Sequence, residues 1–504
     1  MNIVALLHKS KVQVVLRLGI CTFLMSLFCN IDSYLYMQIG QFDSAVFFMC
    51  GKSLMNGMIP YVEFTDSKGI LLWLFYGIGY LIDHYSYVGI FWMMCGVVFI
   101  TLCIAYWTSR LFLDRNASVL AALMTLIPLM YWNFYFETKS EHFCWPAVAW
   151  GIYVLMKALK GNDLKYVDYA SIGASIVYCL FIKWSVAVMM LCFVVSLGWI
   201  AWQRKEMGQY FIGSLCGFIG AFLPFVIYFT ICGNWRDMWQ EYFVNTLTSV
   251  SKPMDETVVD IIEGGKNLFT TKYFLYLLYT LPVLFLWKRE RWFTSSLPAL
   301  CGLFFIALCV RAGDGVHYIT IAGPFAIMTI VVVLRWLISL RISLPYLSLL
   351  FVVSASYVIW GHIHYSNNFC TKNTAEFNRY MALSWAMSQV SEHPSVIILG
   401  MEPGLCMGTA LPGTKYWTLQ KGRTEQMWQD ELTAIRDGSA DFIVLWCADV
   451  NEYDRMLANC GYHFLSDYYA GSVYTRHDLE IPEIKEVTVC DIISKRTYAD
   501  LYGK

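Results

Sequence analysis

The stretch QFDSAVFFMCGKSLMNGMIPYVEFTDSKGILL, residues 41–72, decides the fold, because it places charged residues beside long apolar segments. Its charged residues are Asp43, Lys52, Glu63, Asp66 and Lys68. Residues 43–56 are predicted to form a helix, with Asp43 as N-cap, apolar residues at helical spacing and Asn56-Gly57 as the stop. We expect this helix to be amphipathic and to lie on a membrane surface. Charges held against a membrane are costly and usually functional.

The composition excludes a soluble globular protein. Of 504 residues, 58% are hydrophobic and only 14% are charged, which indicates a polytopic membrane protein. A formal net charge of −1 gives no reason to expect a nucleic-acid partner. The 17 Cys are scattered without a C-x-x-C pair, so neither a disulfide framework nor a zinc site is predicted.

The first apolar segment and its flanks set the predicted topology. Residues 12–29 form the first span, and Lys9 and Lys11 place its beginning in the cytoplasm and the loop at 30–87 outside. The run at 70–82 is short for a bilayer core of ~30 Å, which needs about 20 residues. We therefore expect it to be a surface or re-entrant helix.

The remaining apolar segments complete about eleven predicted spans. They are residues 88–109, 117–132, 143–159, 168–182, 185–202, 209–231, 272–287, 296–310, 319–338 and 344–361. This order keeps basic clusters such as Lys288-Arg289 inside, whereas counting 70–82 as a span would put them outside. The N-terminus is thus predicted to be cytoplasmic and the end of the last span extracytoplasmic.

From residue 362 the pattern changes to that of a small α/β domain. NRYMALSWAMSQVSEHP is predicted to be a helix, PSVIILG a buried strand, and ELTAIRDGSADFIVLWCAD a helix, a turn and a strand. Residues 451–460 form another predicted helix, and Tyr474-Thr475 ends a further strand. No Gly-rich nucleotide-binding turn follows a strand here. The predicted domains are therefore residues 1–361 in the membrane and 362–504 outside it.

The segment DSAVFFMCGKSLMNGMIPYVEFTDSKG resembles the first extracytoplasmic loop of family-39-type GT-C glycosyltransferases. This group includes protein O-mannosyltransferases and the bacterial aminoarabinose transferases. In them an acidic residue opens a surface helix, a Gly-x-x-Pro-Tyr-like turn follows, and an acidic-x-Lys or acidic-Lys group precedes Pro or Gly. The chain departs from the commoner pattern at Ser44, where Glu is usual, and at Gly69-Ile70, where Pro is frequent.

The resemblance implies a function as well as a GT-C fold with a small extracytoplasmic α/β domain. A sugar would move from a polyprenyl-phosphate-linked donor to a glycan, lipid or protein acceptor, on the outer face of a bacterial inner membrane. The active site would lie at the loop 30–87, without a cofactor. Such chemistry needs a carboxylate for the acceptor hydroxyl and cations for the departing lipid phosphate.

The first loop supplies the candidate base and one candidate cation. By resemblance Asp43 is the catalytic base, although it could also simply cap the helix, and Asp32 is its main rival. Lys68 would bind the donor phosphate or tie down Asp66, or it is an interfacial lysine without a function. Asp66 itself is a further site candidate.

Two later segments match motifs of the same bacterial relatives. Glu141 resembles a Thr/Ser-Glu group that opens the fourth span, and His142 follows it; the alternative is an ordinary helix start capped by Ser140. The pair His317-Tyr318 resembles a His-Tyr pair that enters a late span. Arg311 is a natural phosphate ligand, or else a basic anchor at the interface.

Three other readings remain open. A transporter or flippase for lipid-linked sugars would place polar or broken helices at mid-membrane, whereas the charges here lie in loops. A ligase of another GT-C branch would concentrate basic residues in one late outer loop. Asp43 and Asp66 could hold a divalent ion, but Lys68 and Arg311 can supply the positive charge, so we expect no metal.

Overall fold

The structure of the chain, a computed structural model, describes most of its length. The described residues are 10–36, 42–131, 138–250, 256, 258–259, 262–263, 266, 316–399, 406, 408–418, 424–446, 450–468 and 471–481. The chain divides into two compact units. Unit 1 comprises Met1–Cys29, Met94–Tyr228 and Lys252–Ile363, and unit 2 comprises Asn30–Met93, Phe229–Ser251 and His364–Lys504. The domain boundary at residues 361/362 stays a prediction.

The protein is an integral membrane protein, and among the described residues six helices are long and apolar enough to cross a membrane. The helices in chain order are α1 (Ser10–Cys29), α2 (Phe42–Met55), α3 (Ile70–Ile82), α4 (Val88–Arg110), α5 (Arg115–Met124), α6 (Leu126–Met130), α7 (Ser140–Phe143), α8 (Trp145–Leu159), α9 (Tyr166–Leu180), α10 (Trp184–Gln203) and α11 (Met207–Cys232). They continue with α12 (Trp235–Met238), a π-helix (Trp239–Asn245), α13 (Thr246–Val250), a 3₁₀-helix (Val316–Phe325), α14 (Ala326–Ser339) and α15 (Leu344–Ser388).

Most of the predicted spans coincide with these helices. α1, α4, α10, α11, the segment Thr320–Ser339 and the first half of α15 have the length and hydropathy of a span. The predicted spans at 117–132, 143–159 and 168–182 are helical but shorter, since α8 and α9 have 15 residues each. Those at 272–287 and 296–310 lie outside the described residues. The count of eleven therefore stays a prediction.

Helices of unit 1 are joined by hydrogen bonds between buried polar groups. Trp145 at the start of α8 donates through Nε1 to the carbonyl of Thr320 at 2.8 Å. Tyr178 of α9 donates its hydroxyl hydrogen to the carbonyl of Phe143 at 2.8 Å. The interior of unit 1 is otherwise mainly apolar, although it also contains the buried ion pair Glu141–Lys183.

In unit 2 the helices α2 and α3 pack backbone to backbone. A Cβ on Gly51 would lie 2.4 Å from the nitrogen of Gly77, and one on Gly77 would lie 2.8 Å from the carbonyl oxygen of Gly51. Only residues without side chains allow this approach. Because α3 folds back on α2, the predicted short helix at 70–82 becomes the packing partner of the predicted helix at 43–56.

The helix predicted at 43–56 is confirmed with the bounds Phe42–Met55, but the predicted amphipathic pattern, with one exposed face, is wrong. Every residue from Ser44 to Ser53 is buried, including Lys52. The amphipathic reading assumed that one face meets lipid and the other water. Instead, other parts of unit 2 cover both sides of this helix.

The C-terminal part of unit 2 contains a five-stranded sheet with the order β2-β1-β3-β5-β4. The strands are β1 (Ser395–Leu399), β2 (Leu411–Pro412), β3 (Phe442–Trp446), β4 (Tyr462–Tyr468) and β5 (Gly471–Arg476). β1 pairs in parallel with β2 and β3, whereas β5 pairs antiparallel with β3 and β4. Two helices accompany the sheet, α16 (Glu425–Arg436) and α17 (Val450–Asn459). Their apolar faces and the strands share one core, centred on Ile397, Ile435, Ile443 and Leu457.

The helix that contains the last predicted span continues well beyond it. α15 runs without a break for 45 residues, from Leu344 to Ser388, whereas the sequence predicted a span that ends at 361 and a separate helix afterwards. Between Gly361 and Pro394 the sequence contains neither Gly nor Pro, the two residues that most often end a helix. The helix can therefore continue past residue 361.

Candidate functional site

Asp43, the predicted base, lies in the first turn of α2 and is half-buried. Because α2 begins at Phe42, Asp43 is not the N-cap residue that the sequence predicted. A carboxylate in the first helical turn is still stabilised by the positive end of the helix dipole. The side chain is thus held at the end of a buried helix.

Asp66 and Lys68 follow in the loop between α2 and α3, and Asp66 interacts electrostatically with both Lys68 and Asp43. Burial raises the pKa of the Asp66 carboxyl, Lys68 opposes that rise, and the charge of Asp43 adds to it. The Oδ2 atom of Asp66 is enclosed and has no hydrogen-bond partner among the described residues. Three predicted site residues therefore come together, two carboxylates and one cation.

Lys68 is not tied to Asp66 by a direct hydrogen bond. Its Nζ donates to the Ser67 hydroxyl at 2.8 Å and lies 5.2 Å from the centre of the Phe47 ring. A lysine held by a hydroxyl and an aromatic ring keeps donors for an anionic ligand. Of the two functional roles predicted for Lys68, phosphate binding fits this geometry better than fixing Asp66.

The loop that carries Lys68 is held by a strained tyrosine. Tyr61 is fully buried and has φ = 66°, which a non-glycine residue rarely adopts. Its ring packs against Trp73, Phe229 and Tyr242, and its hydroxyl donates to the Lys68 carbonyl at 3.0 Å. Backbone strain of this kind persists only where the surroundings impose it, and it is frequent at functional sites.

Asp32, the rival base, lies in the turn after α1 and is almost completely buried. Its backbone N–H donates to the Asn30 side chain at 2.8 Å, which forms a tight turn. The burial of Asp32 contrasts with the partial exposure of Asp43. An acceptor hydroxyl can reach a half-buried carboxylate more easily than an enclosed one.

In unit 1, Glu141 forms a buried ion pair with Lys183 across two helix starts. Glu141 lies on α7, and Lys183 immediately precedes α10. The Ser140 hydroxyl also donates to Glu141 at 3.1 Å. Lys139, not Ser140, occupies the N-cap position, so the predicted Ser140 cap is wrong.

His142 is oriented by the same short helix. Its Nδ1 accepts a hydrogen bond from the backbone N–H of Lys139 at 3.0 Å, and its ring packs against Trp145 with centroids 4.6 Å apart. An accepting Nδ1 places the proton of the neutral imidazole on Nε2. The structure therefore brings Glu141 and His142 together with Lys183, for which the sequence predicted a place on the same outer face but no individual role.

The third group of predicted site residues comprises Arg311, His317 and Tyr318. Arg311 lies outside the described residues. His317 and Tyr318 lie on the backbone of the 3₁₀-helix Val316–Phe325, directly before the span that begins at Thr320. The entry of this pair into a late span agrees with its predicted place in the chain.

A further buried carboxylate in unit 2 was not identified from the sequence. Glu241 on the π-helix pairs with Lys415 at 2.7 Å and accepts hydrogen bonds from Tyr416 at 2.8 Å and Asn245 at 2.9 Å. These contacts join the segment after α11 to the chain that follows β2. In the part of the chain that the structure describes, no group of three or more His, Cys, Asp or Glu residues could hold a metal ion.

The comparisons with known proteins concern the whole chain. No family model matches the sequence, and no curated protein matches it either. Among solved structures, the apo form of ArnT from Cupriavidus metallidurans is similar with a TM-score of 0.57 and 11% identity, covering 94% of this chain and 99% of ArnT. ArnT bound to undecaprenyl phosphate gives a TM-score of 0.55, again with 11% identity, over 92% of this chain and 97% of ArnT. ArnT is an aminoarabinose transferase and a GT-C glycosyltransferase. The chain has the GT-C fold.

The GT-C fold extends over nearly the full length of both chains, so the match includes the membrane helices and the C-terminal sheet. An archaeal oligosaccharyltransferase from Archaeoglobus fulgidus is also similar, at 12% identity over 94% of this chain and 75% of that one, with a TM-score of 0.42. That value is too low to support an argument. The predicted fold class is confirmed by the likeness to ArnT.

Proposed function

We propose that this protein is a membrane glycosyltransferase that moves a sugar from a polyprenyl-phosphate-linked donor to a glycan, lipid or protein acceptor. The observation that carries the proposal is the cluster of Asp43, Asp66 and Lys68 in the first loop of a chain with the fold of ArnT. One of the similar ArnT structures is bound to undecaprenyl phosphate, a lipid of the donor class proposed here.

In the proposed mechanism, the carboxylate of Asp43 accepts the proton of the acceptor hydroxyl while the hydroxyl oxygen attacks the anomeric carbon. The bond between that carbon and the donor phosphate breaks, and the lipid phosphate leaves with the electron pair. Lys68 binds the departing phosphate; Arg311, His317 and Tyr318 are the other phosphate ligands that the sequence proposes. Cations that face developing charge in a site shielded from water lower the barrier most effectively.

A transfer assay tests the proposed function. Purified protein in lipid nanodiscs is incubated with polyprenyl-phosphate sugars, and the lipid-linked glycans of cells with and without the protein are profiled in parallel. We expect a donor that is consumed and a glycosylated product that appears only with the protein. Movement of an intact lipid-linked sugar between leaflets without cleavage would instead support a flippase.

The proposed orientation predicts which loops are accessible from outside the cell. Cysteine labelling in a background without native cysteines is expected to modify positions near residues 35–65, 137 and 314 from outside. Positions near 112, 204 and 290 should react only after permeabilisation, because basic residues are retained in the cytoplasm. Labelling of position 112 from outside, together with protection of position 137, would refute the orientation. It would also refute the proposal of a bacterial inner-membrane enzyme whose C-terminal domain, residues 362–504, is extracytoplasmic.

Replacing Lys68 by Ala is expected to raise the KM for the lipid donor about 10-fold or more, because one charged hydrogen bond to a phosphate is worth about 1.5–3 kcal/mol. The KM for the acceptor should change little. Initial rates over a matrix of donor and acceptor concentrations separate the two constants. Lys160→Ala is the matched control, since Lys160 is an exposed lysine beyond α8. An unchanged donor KM in Lys68→Ala would remove Lys68 from the phosphate site.

A further inference from the structure

Lys52 is a completely buried lysine on α2 that the proposed chemistry does not use. Its exposed fraction is 0%. Its Nζ donates to the backbone carbonyls of Cys406 at 2.9 Å and Gly408 at 3.1 Å. Both acceptors lie in the chain between β1 and β2, here called the β1–β2 connection, of which Cys406 and residues 408–410 are described.

The β1–β2 connection is attached to the first loop at a second point. The backbone N–H of Gly408 donates to the carbonyl of His84 at 2.8 Å, just after the end of α3. Gly408 has φ = +74°, and a Cβ there would lie 3.1 Å from the Cβ of Ser384. A residue with a side chain would be strained at this position. The connection is thus fixed both to α2 and to His84, two residues after the end of α3.

A charge without an acidic partner is an expensive way to join two segments. In the part of the chain that the structure describes, Lys52 has no carboxylate within ion-pairing distance, and it donates to neutral backbone carbonyls. A packed apolar residue at such a site is often equally or more stabilising than a buried charge. Lys52 therefore fixes the position of the β1–β2 connection on α2 more than it stabilises the fold.

Lys52 and Asp43 lie at opposite ends of α2 and on opposite sides of it. Lys52 follows Asp43 by nine residues, about two and a half helical turns. Lys52 therefore holds the side of the helix that faces away from the carboxylate. Fixing this side keeps the helix that carries Asp43 from shifting.

We propose that Lys52 is a positioning residue, which binds the backbone of the β1–β2 connection and so fixes the helix that carries Asp43. This inference rests on the proposed function, because that function gives Asp43 its role. The hydrogen bonds between Lys52 and the β1–β2 connection do not depend on that function. The C-terminal sheet then acts as a support for the first loop. Displacements of about 1 Å in a reacting group are known to lower rates strongly, so a support of this kind affects turnover more than binding.

The ionisation of Lys52 gives the attachment a recognisable pH dependence. Burial lowers the pKa of Lys52 from 10.5 to about 7. The groups that face this junction are Cys406, Asp83, His84 and His393; burial also lowers the pKa of His84. Lys52 loses its proton near pH 7 in the folded protein and near pH 10.5 in the unfolded chain. Its contribution to the free energy of unfolding therefore rises from about pH 7 to about pH 10.5. In Lys52→Met this contribution is absent, so the melting temperature should no longer rise over this pH range.

Hydrogen exchange and kinetics of the full-length protein in nanodiscs test the proposal together. In Lys52→Met, which keeps the length without donors, we expect amide exchange in peptides covering 406–413 to accelerate about 10-fold or more. The kcat of sugar transfer should fall while the donor KM stays the same. Lys52→Gln retains two donors on one nitrogen and should restore part of both properties. Lys160→Met is the matched control and should change neither.

Each result decides a different part of the proposal. Unchanged exchange in a folded Lys52→Met protein would refute the attachment. Faster exchange with an unchanged kcat would refute the positioning role. If the wild-type protein also fails to transfer sugar, the proposed function fails and the positioning role with it, whereas exchange still supports or refutes the attachment. If Lys52→Met does not fold, absence of rescue by a folded Lys52→Gln would overturn the proposal.

Discussion

Replacement of Asp43 by Asn is expected to lower kcat for sugar transfer by about 10²–10⁴-fold, the usual contribution of a general base. The substitution keeps the size of the side chain but removes the basic oxygen. Because Asp43 lies in the first turn of α2, losing its interaction with the helix dipole should cost only about 0.3–1 kcal/mol. The variant should therefore insert and purify normally and fail in turnover.

The decisive comparison is with Asp32→Asn under saturating donor and acceptor. Asp32 is enclosed in its turn, so its replacement is expected to affect stability more than chemistry. Glu63→Gln is the control within the same loop, since Glu63 is exposed. An active Asp43 variant together with a dead, folded Asp32 variant would transfer the base to Asp32. Full turnover in both would refute the acid–base assignment.

The elements that the sequence predicted correctly are those with local signals at both ends. α2 stops at Asn56-Gly57, and Gly57 adopts φ = 83°, a conformation that glycine allows without strain. β1 and β3 are short runs rich in Val, Ile and Leu, which is typical of buried strands. β4 has the sequence YHFLSDY, with three polar residues, and therefore lacks this signal. Its pairing with β5 is what makes it a strand.

The parts of the site that the sequence missed depend on contacts between distant residues. Lys52 and Gly408 are separated by 356 positions, and Glu241 and Tyr416 by 175. The spacing of apolar residues along one helix reports which face is buried, but not what covers it. For α2 the predicted amphipathic pattern failed for this reason, because the partners of Lys52 come from the other end of the chain.

Glu141 and Lys183 illustrate the same limit with a testable energetic consequence. The sequence offered two roles for Glu141, a site residue or an ordinary helix start, and neither included Lys183. The side chains of Glu141 and Lys183 are only 2% and 11% exposed. At this burial a charge that loses its partner cannot be compensated by water.

Lys183→Met is expected to destabilise the protein by about 3–5 kcal/mol, because it removes the lysine that pairs with the buried Glu141 carboxylate. The double variant Glu141→Gln/Lys183→Met removes both charges and should recover much of that loss. Thermal unfolding in detergent, compared across the wild type, both single variants and the double variant, measures the coupling. Asp478→Asn is the control, since the Arg476–Asp478 pair is exposed and its loss should not shift the melting temperature measurably.

The double variant also separates the two roles of Glu141. If the pair only holds α7 against the start of α10, a folded double variant should transfer sugar at a rate close to that of the wild type. A folded double variant without activity would instead place Glu141 or Lys183 in the reaction. Single variants that are as stable as the wild type would contradict the energetic argument, because two charges this deeply buried cannot be independent of each other.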